Sequence, residues 1–470
     1  MHRRDFLTRT STVLHGAALA SLLSRDLHGT TPRAFDLTPK NPHLAPKANA
    51  VIQFFMNGGP SQVDLFDPKP ALEKYAGKVP VRDIHTDVSD PRAAGGLLPS
   101  PFRFAKHGQC GMDLSGALPH LSTVVDDIAF LRSMYGEHCN HEPAIFLMQS
   151  GRIVPARPVL GSWVAYGLGT ENQNLPAYVV LDDPKGLPIN GISNWQSAYL
   201  PPVYQGTRFR TEGPPVLNLD SRPELSAPLV EAERRLLRQL DEMHRAERPR
   251  QPDLDGRISS YELAARMQLA ASDALDISKE TEATREAYGL NDPATASYGK
   301  RCLMARRLVE RGVRYVQLYI EGQIWDNHSN LEKALRYAAN KTDQTVVALL
   351  RDLKQRGLFD TTLLVWGGEF GRLPISQSEP GNPESAGRDH GPSGFTVWLA
   401  GAGVKGGTIY GATDEFGHKA VENRVSVHDF HATILHLLGL DFRKLSYSRH
   451  GLEERLTDQF PARVVSEVLV

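Results

Sequence analysis

From about residue 48 onward, apolar residues gather in short runs that stop at glycine or at an acid, and the runs are separated by stretches with helical spacing. "AVIQFFMNGG" is such a run, closed by glycines as a buried strand is. "LPHLSTVVDDIAFLRSMY" predicts a helix and then a strand around Ile128 to Ser133, and "LPAYVVLDD" predicts another strand. A polar, Pro- and Gly-rich region at about 184–252 breaks this rhythm and reads as an insertion or lid. "SSYELAARMQLA" and "YGKRCLMARRLVERG" follow as helices, the second ending at Gly312, which hands the chain to the strand of "VRYVQLYIEGQIWDNHSN". Val346, Leu349, Leu350 and Leu353 recur at helical spacing before Gly357. "TTLLVW" and "GFTVWLAGAG" are strands, and "SVHDFHATILHLLGL" is a helix with Ser426 and Asp429 spaced as a capping box. Strand and helix alternating in this way predict an α/β fold: a mostly parallel sheet with helices on both faces, an α/β/α sandwich.

Composition narrows the function classes. The 470 residues are 41% hydrophobic and 23% charged with a formal net charge of -1, so no global field draws the chain to nucleic acid or to an anionic membrane. No nucleic-acid module is present, and no apolar run predicts stable membrane insertion. Cys110, Cys139 and Cys302 are too widely spaced for a CxxC site and allow at most one disulfide. At the N-terminus, Arg3 and Arg4 precede Phe6, Leu7 and the weakly apolar "VLHGAALASLL", the pattern of a twin-arginine export signal. Residues 1–24 are therefore expected to be a signal peptide read by the twin-arginine machinery, residues 25–47 a linker, and residues 48–470 one domain. The destination expected is the periplasm or the exterior.

In an open α/β sheet, ligands collect beyond the carboxyl ends of the strands. Asp326 and His328 follow one predicted strand; on an extended segment they face the same side, a natural pair of metal ligands. Glu369 ends the next strand, and "GRDHGPSGF" supplies Asp389 and His390 in a glycine-bounded loop. Three such places at successive strand ends imply a shared site. Oxygen and nitrogen donors suit a divalent metal, zinc first, with manganese, iron or calcium as the other candidates. His428, His431 and His436 on the last helix are expected in core or surface roles, and "GAGVKGG" lacks phosphate-loop spacing and reads as a turn.

The run from Asp343 to Arg372 resembles the helix-strand-acid unit of the sulfatase and alkaline phosphatase superfamily. "NGGPSQVDLFDPKP", "WDNH", "WGGEFGR" and "GRDHGPSGFTVWLAGAGVKGG" together resemble the exported domain of unknown function 1501 family, related to that superfamily. The resemblance implies that Asp326, His328 and His390 serve one metal position and that Glu369 serves a second. Asn57 stands where the superfamily's first strand ends in aspartate, Asp64 comes later, and Phe370 occupies a place usually held by histidine or asparagine. Sulfatases carry C-x-P-S-R at the nucleophile. Here "HEPAIFLMQSGR" keeps Pro143 and puts His141 at the cysteine or serine position, with Cys139 two residues too early for a formylglycine. His138 and His141 are then candidate ligands, or His141 a nucleophile or general acid. Arg152 and Arg388 are candidates for holding an anionic group.

The function so implied is an exported metal-dependent hydrolase acting on sulfate or phosphate esters, of a small molecule or a sulfated polysaccharide. It would use water activated by the metal or the histidine in the nucleophile position. The alternative is an exported binding or scaffold protein that kept the fold and lost the chemistry.

Overall fold

The structure is a computed structural model and describes residues 36–78, 94–214, 216, 226–248, 251–377 and 385–470. The export signal expected at residues 1–24 lies outside the described residues.

The strands that place the site are β1 (Ala50–Phe55), β2 (Ala94–Leu97), β3 (Ile128–Tyr135), β4 (Tyr178–Leu181), β5 (Thr207–Phe209), β6 (Tyr315–Tyr319), β7 (Thr362–Gly367), β8 (Gly371–Gln377), β9 (Gly387–Gly391), β10 (Phe395–Ala400), β11 (Thr408–Tyr410) and β12 (Val425–Ser426). The helices that pack around them are α1 (His141–Ser150), α2 (Leu160–Leu168), α3 (Ala227–Glu247), α4 (Pro252–Leu275), α5 (Ala296–Glu310), α6 (Leu331–Gln355) and α7 (Val427–Leu437).

Nine strands form the central sheet in the order β11-β3-β10-β7-β1-β6-β4-β5, with β12 also paired to β3. All run parallel except β10, which pairs antiparallel with both β3 and β7. Every residue of β1, β4, β6, β7 and β10 is buried, so both faces of the sheet are covered, and the α/β/α sandwich expected from the sequence is what forms. β9, β8 and β2 make a second, antiparallel sheet.

Local sequence explains most of these elements. Val346, Leu349, Leu350 and Leu353 are the buried stripe of α6, and Gly357 takes φ +68° just beyond its end. Ser426 and Asp429 close the expected capping box on α7. The helix expected before β3 forms only two 3₁₀ turns, Leu121–Thr123 and Val125–Asp127. There the Asp343 carboxylate of α6 accepts from the backbone N–H of His120 (2.6 Å) and Leu121 (2.9 Å), so a tertiary partner satisfies these donors instead of a continuing helix. Residues 36–47, expected as linker, lie against the body: Lys40 N–H donates to Leu168 O, and Lys47 and Ala48 N–H both donate to Leu437 O.

One face of the sheet carries a buried polar cluster that interrupts the apolar runs. Gln317 Nε2 donates to Gln53 Oε1 (3.0 Å) and to Gln149 Oε1 (2.9 Å), Gln149 Nε2 donates to the Tyr319 hydroxyl (3.0 Å), and the Tyr178 and Tyr315 hydroxyls donate to Gln317 and Gln53. Because buried amides must be paired, these bonds fix where α1 sits over β6. Its last turn is also held from α7, where His428 Nε2 bonds to Gly151 O (2.9 Å) and His431 Nε2 to Met148 O (2.8 Å).

Candidate metal centre at the carboxyl edge of the sheet

The carboxyl ends of β1, β3, β6 and β7 lie along one edge, and because β10 is reversed, the chain entering it arrives at that edge too. Five side chains from these places converge. Asp326 Oδ1 lies 2.8 Å from His328 Nε2 and 3.1 Å from His390 Nε2, and the two imidazole nitrogens are 3.0 Å apart. His141, the first residue of α1, reaches Asp326 Oδ2 with Nε2 (3.3 Å) and Glu369 Oε1 with Nδ1 (2.7 Å). One donor atom each from His141, Asp326, His328 and His390 fits within 4.8 Å.

Asp326 and His328 do not reach the site by strand alternation. β6 ends at Tyr319, and a turn follows in which Asp326 N–H bonds to Gln323 O and His328 N–H to Asp326 O. Asn57, just beyond β1, pins that turn: its Nδ2 donates to Ile320 O (2.7 Å) and Gly322 O (2.9 Å). Gly58 sits at φ +108°, and a Cβ there would lie 2.6 Å from Asp326 N, so the close crossing of the two segments requires glycine. Gly58 N–H also donates to Glu369 Oε1 (2.9 Å). Asp389 and His390, expected in a loop, belong to strand β9, which pairs with β8.

Arg372 completes the centre, a residue that the pattern of acids and histidines at strand ends does not mark. Its buried guanidinium bonds to Asp326 Oδ1 (2.6 Å), Gly59 O (2.9 Å), Arg388 O (3.1 Å) and Gly58 O. The Gln377 side chain holds His328 Nδ1, and the Phe370 ring lies 4.9 Å from the His141 ring and 4.6 Å from that of His390. The departure of Phe370 from the superfamily pattern thus becomes an apolar wall beside two imidazoles.

These contacts set the charges. Burial works against ionisation of Asp326, but the donors of His141, His328 and His390, with the Arg372 cation, outweigh it and hold the carboxyl well below the usual carboxylate range. Burial likewise lowers His141, yet Asp326 and Glu369 together raise it to about 9. Burial dominates at His390 and lowers it despite Asp326.

The remaining expected site residues lie elsewhere in the bonding scheme. Arg388 is not an anion clamp: fully buried, it binds Asp64 through two bonds, 2.7 and 3.0 Å, and also donates to Leu98 O. Asp64 is correspondingly committed to Arg388 and to the Ser61 hydroxyl (2.5 Å), not to the metal cluster. Arg152 pairs with Asp458 (2.9 Å) and lies over Phe460, beyond the C-terminal end of α1. His138 Nδ1 accepts from the backbone N–H of Asn140 (3.0 Å), a local helix-start contact. Asp389 is buried and accepts from the His390 N–H (2.8 Å), with neither residue's backbone turned from the strand. Cys110, Cys139 and Cys302 form no disulfide among the described residues.

The donor set fits a divalent ion. Ligands on a tetrahedral ion with bonds of about 2.05 Å stand about 3.3 Å apart, close to the 2.8, 3.1 and 3.0 Å spacings among Asp326 Oδ1, His328 Nε2 and His390 Nε2. Among the described residues, two buried oxygens on site-positioning side chains, Asn57 Oδ1 and Glu369 Oε2, have no hydrogen-bond partner, and a buried acceptor left so costs about 1–3 kcal/mol. Two imidazoles and a carboxylate, with a third imidazole beside them, suit zinc-like ions better than calcium, which takes six to eight oxygens.

Fold and site thus define an α/β protein with a candidate metal centre at its sheet edge. The chain belongs to the family described as "Protein of unknown function (DUF1501)", whose sequence profile matches residues 48–469. No curated protein matches it. Solved structures similar in shape include the lipoteichoic acid synthase LtaP from Listeria monocytogenes (9% identity, 86% of this chain and 76% of that one, TM-score 0.36). Others are the phosphonate monoester hydrolase SpPMH from Silicibacter pomeroyi (14%, 75% and 71%, 0.34) and the alkaline phosphatase from the Antarctic bacterium TAB5 (12%, 78% and 94%, 0.32).

Proposed function

We propose that the chain is a metal-dependent hydrolase of phosphate or sulfate esters, a reading carried by the convergence of His141, Asp326, His328 and His390. Asp326, His328 and His390 would hold the ion, zinc by the chemistry of the set, and Glu369, bonded to His141, would offer a further hard oxygen at Oε2. Such an ion supplies Lewis-acid polarisation of the ester and a lowered pKa for water. His141 is the reacting side chain: Glu369 fixes its Nδ1 edge, leaving Nε2 turned into the cluster to carry a proton to the leaving oxygen, or to attack the ester once that proton has been given up. It opens α1 without a side-chain cap at Asn140, so first-turn N–H groups stand beside it, a setting favourable to an anionic ester. Arg372 offsets the charge of Asp326 and keeps its carboxylate aimed at the three histidines.

The test compares Asp326→Ala with His141→Ala. Elemental analysis should show about one metal equivalent or more in the wild type, lost in Asp326→Ala and retained in His141→Ala, with turnover of aryl phosphates or sulfates lost in both. No metal in the wild type refutes the reading; metal without turnover of any ester favours the scaffold alternative. Export through Arg3 and Arg4 belongs to the same proposal, and a reporter fused after residue 47 that stays cytoplasmic would refute it. No helix among the described residues is long and apolar enough to cross a membrane.

A further inference from the structure

Within the region at about 184–252 expected as an insertion or lid, α3 carries an apolar face without a partner among the described residues. On α3, Leu229, Leu236, Leu237, Leu240 and Met243 are each 50–62% exposed. At about 100° per residue, Leu229, Leu236, Leu240 and Met243 fall within an arc of about 60°, and Leu237 widens the stripe to about 120°. Five large apolar side chains in one stripe are not ordinary scatter on a soluble surface.

The rest of the helix says what covers the stripe. Arg234, Arg235, Arg238, Asp241, Glu242 and Arg245 lie on the opposite side. There α3 is fastened to α4, Arg234 to Gln268 and Arg245 Nε to Asp255 Oδ1 at 2.8 Å, so the apolar side must point away from the body. The flanks of the stripe hold Ala232, Gln239, His244 and Ala246, so Glu233 is the one acid inside it before the helix's final residue. Seven residues separate Leu229 from Leu236 and Leu236 from Met243, with Leu240 between, the repeat of a two-helix seam. The helix carries five acids (Glu231, Glu233, Asp241, Glu242, Glu247) against four arginines (Arg234, Arg235, Arg238, Arg245), whereas a helix lying on an anionic bilayer needs a basic polar face.

We propose that α3 is a homodimerisation helix, its Leu229–Met243 stripe packed against the same stripe of a second copy of this chain. The Leu229–Met243 stripe spans about 21 Å, a seam at the small end of interface sizes, so the dimer dissociates on the order of micromolar.

Sedimentation velocity on the signal-less protein, from about 1 to about 100 µM, reads the outcome. The wild type should pass from monomer to dimer across that range. Leu236→Glu/Leu240→Glu should remain monomeric throughout with unchanged circular dichroism and Tm, since both side chains are exposed. Arg235→Glu/Arg238→Glu, on the far side of the helix, should dimerise like the wild type. A wild type that is monomeric at the highest concentration, or a leucine variant that dimerises equally well, overturns the proposal. So does a monomeric wild type that instead co-sediments with anionic phospholipid vesicles through these leucines.

Discussion

Replacing Asp64 by asparagine keeps the shape of the side chain and removes one charge from a pair in which neither partner is solvent-exposed. Arg388 would keep its backbone acceptor at Leu98 O but lose its counter-ion at 2.7 and 3.0 Å. Breaking a buried ion pair from one side costs about 3–5 kcal/mol. The entropy of unfolding scales at about 2.1 cal/mol/K per residue, or about 0.9 kcal/mol/K for the residues from 48 to 469, so Tm should fall by about 3–6 °C. Scanning calorimetry measures it, beside a double variant, Asp64→Leu/Arg388→Met, which leaves no buried charge and should recover most of the loss. A Tm change under about 1 °C in Asp64→Asn, or an Arg388→Met variant whose KM for an anionic ester rises while Tm holds, would refute the structural assignment and restore Arg388 as a substrate contact.

Gly58→Ala places a methyl group 2.6 Å from Asp326 N at a φ of +108°, so the Asp326 turn must shift. The expected result is metal content reduced by more than half, measured by elemental analysis, for a stability loss of about 1–3 kcal/mol; full metal occupancy would contradict the crossing. His431 is fully buried, and burial lowers it from 6.5 to about 4, with the Met148 carbonyl opposing. Its folded pKa lies below its unfolded one, so its contribution is complete above pH 6.5 and is lost as pH falls toward about 4, on the order of 3 kcal/mol in all. Tm measured against pH should therefore drop less on the acid side in His431→Gln than in the wild type.

What the sequence could say followed from burial on both faces of the sheet. β1, β6, β7 and β10 read as strands because each is a mostly apolar run, broken in β1 and β6 only by Gln53 and Gln317, and α6 and α7 carry their stripes and stop signals within a few residues. β9 did not, since "GRDHG" is buried only because Arg388 finds Asp64 from a segment 324 residues away. The reversal of β10 was equally illegible, because direction leaves no mark on an apolar strand. At the site, residue types at strand ends gave Asp326, His328, Glu369 and His390, and the superfamily resemblance gave His141. The means of bringing them together was not readable: a turn pinned by Asn57 where an extended strand was expected, and a guanidinium, Arg372, whose partners are mostly backbone carbonyls.

Those separations have a consequence in time. Gly58 meets Glu369 across 311 positions, His141 meets Glu369 across 228, and His390 meets Asp326 across 64. Each closure spends loop entropy before any bond rewards it. During synthesis, Asn57, Gly58 and His141 emerge long before their partners exist, and His390 arrives only after most of the sheet has been made. The cluster of His141, Asp326, His328, Glu369 and His390 is thus complete only once the fold is, and if the proposed metal binds there, its capture would report that the chain has joined its first described strand to its last third.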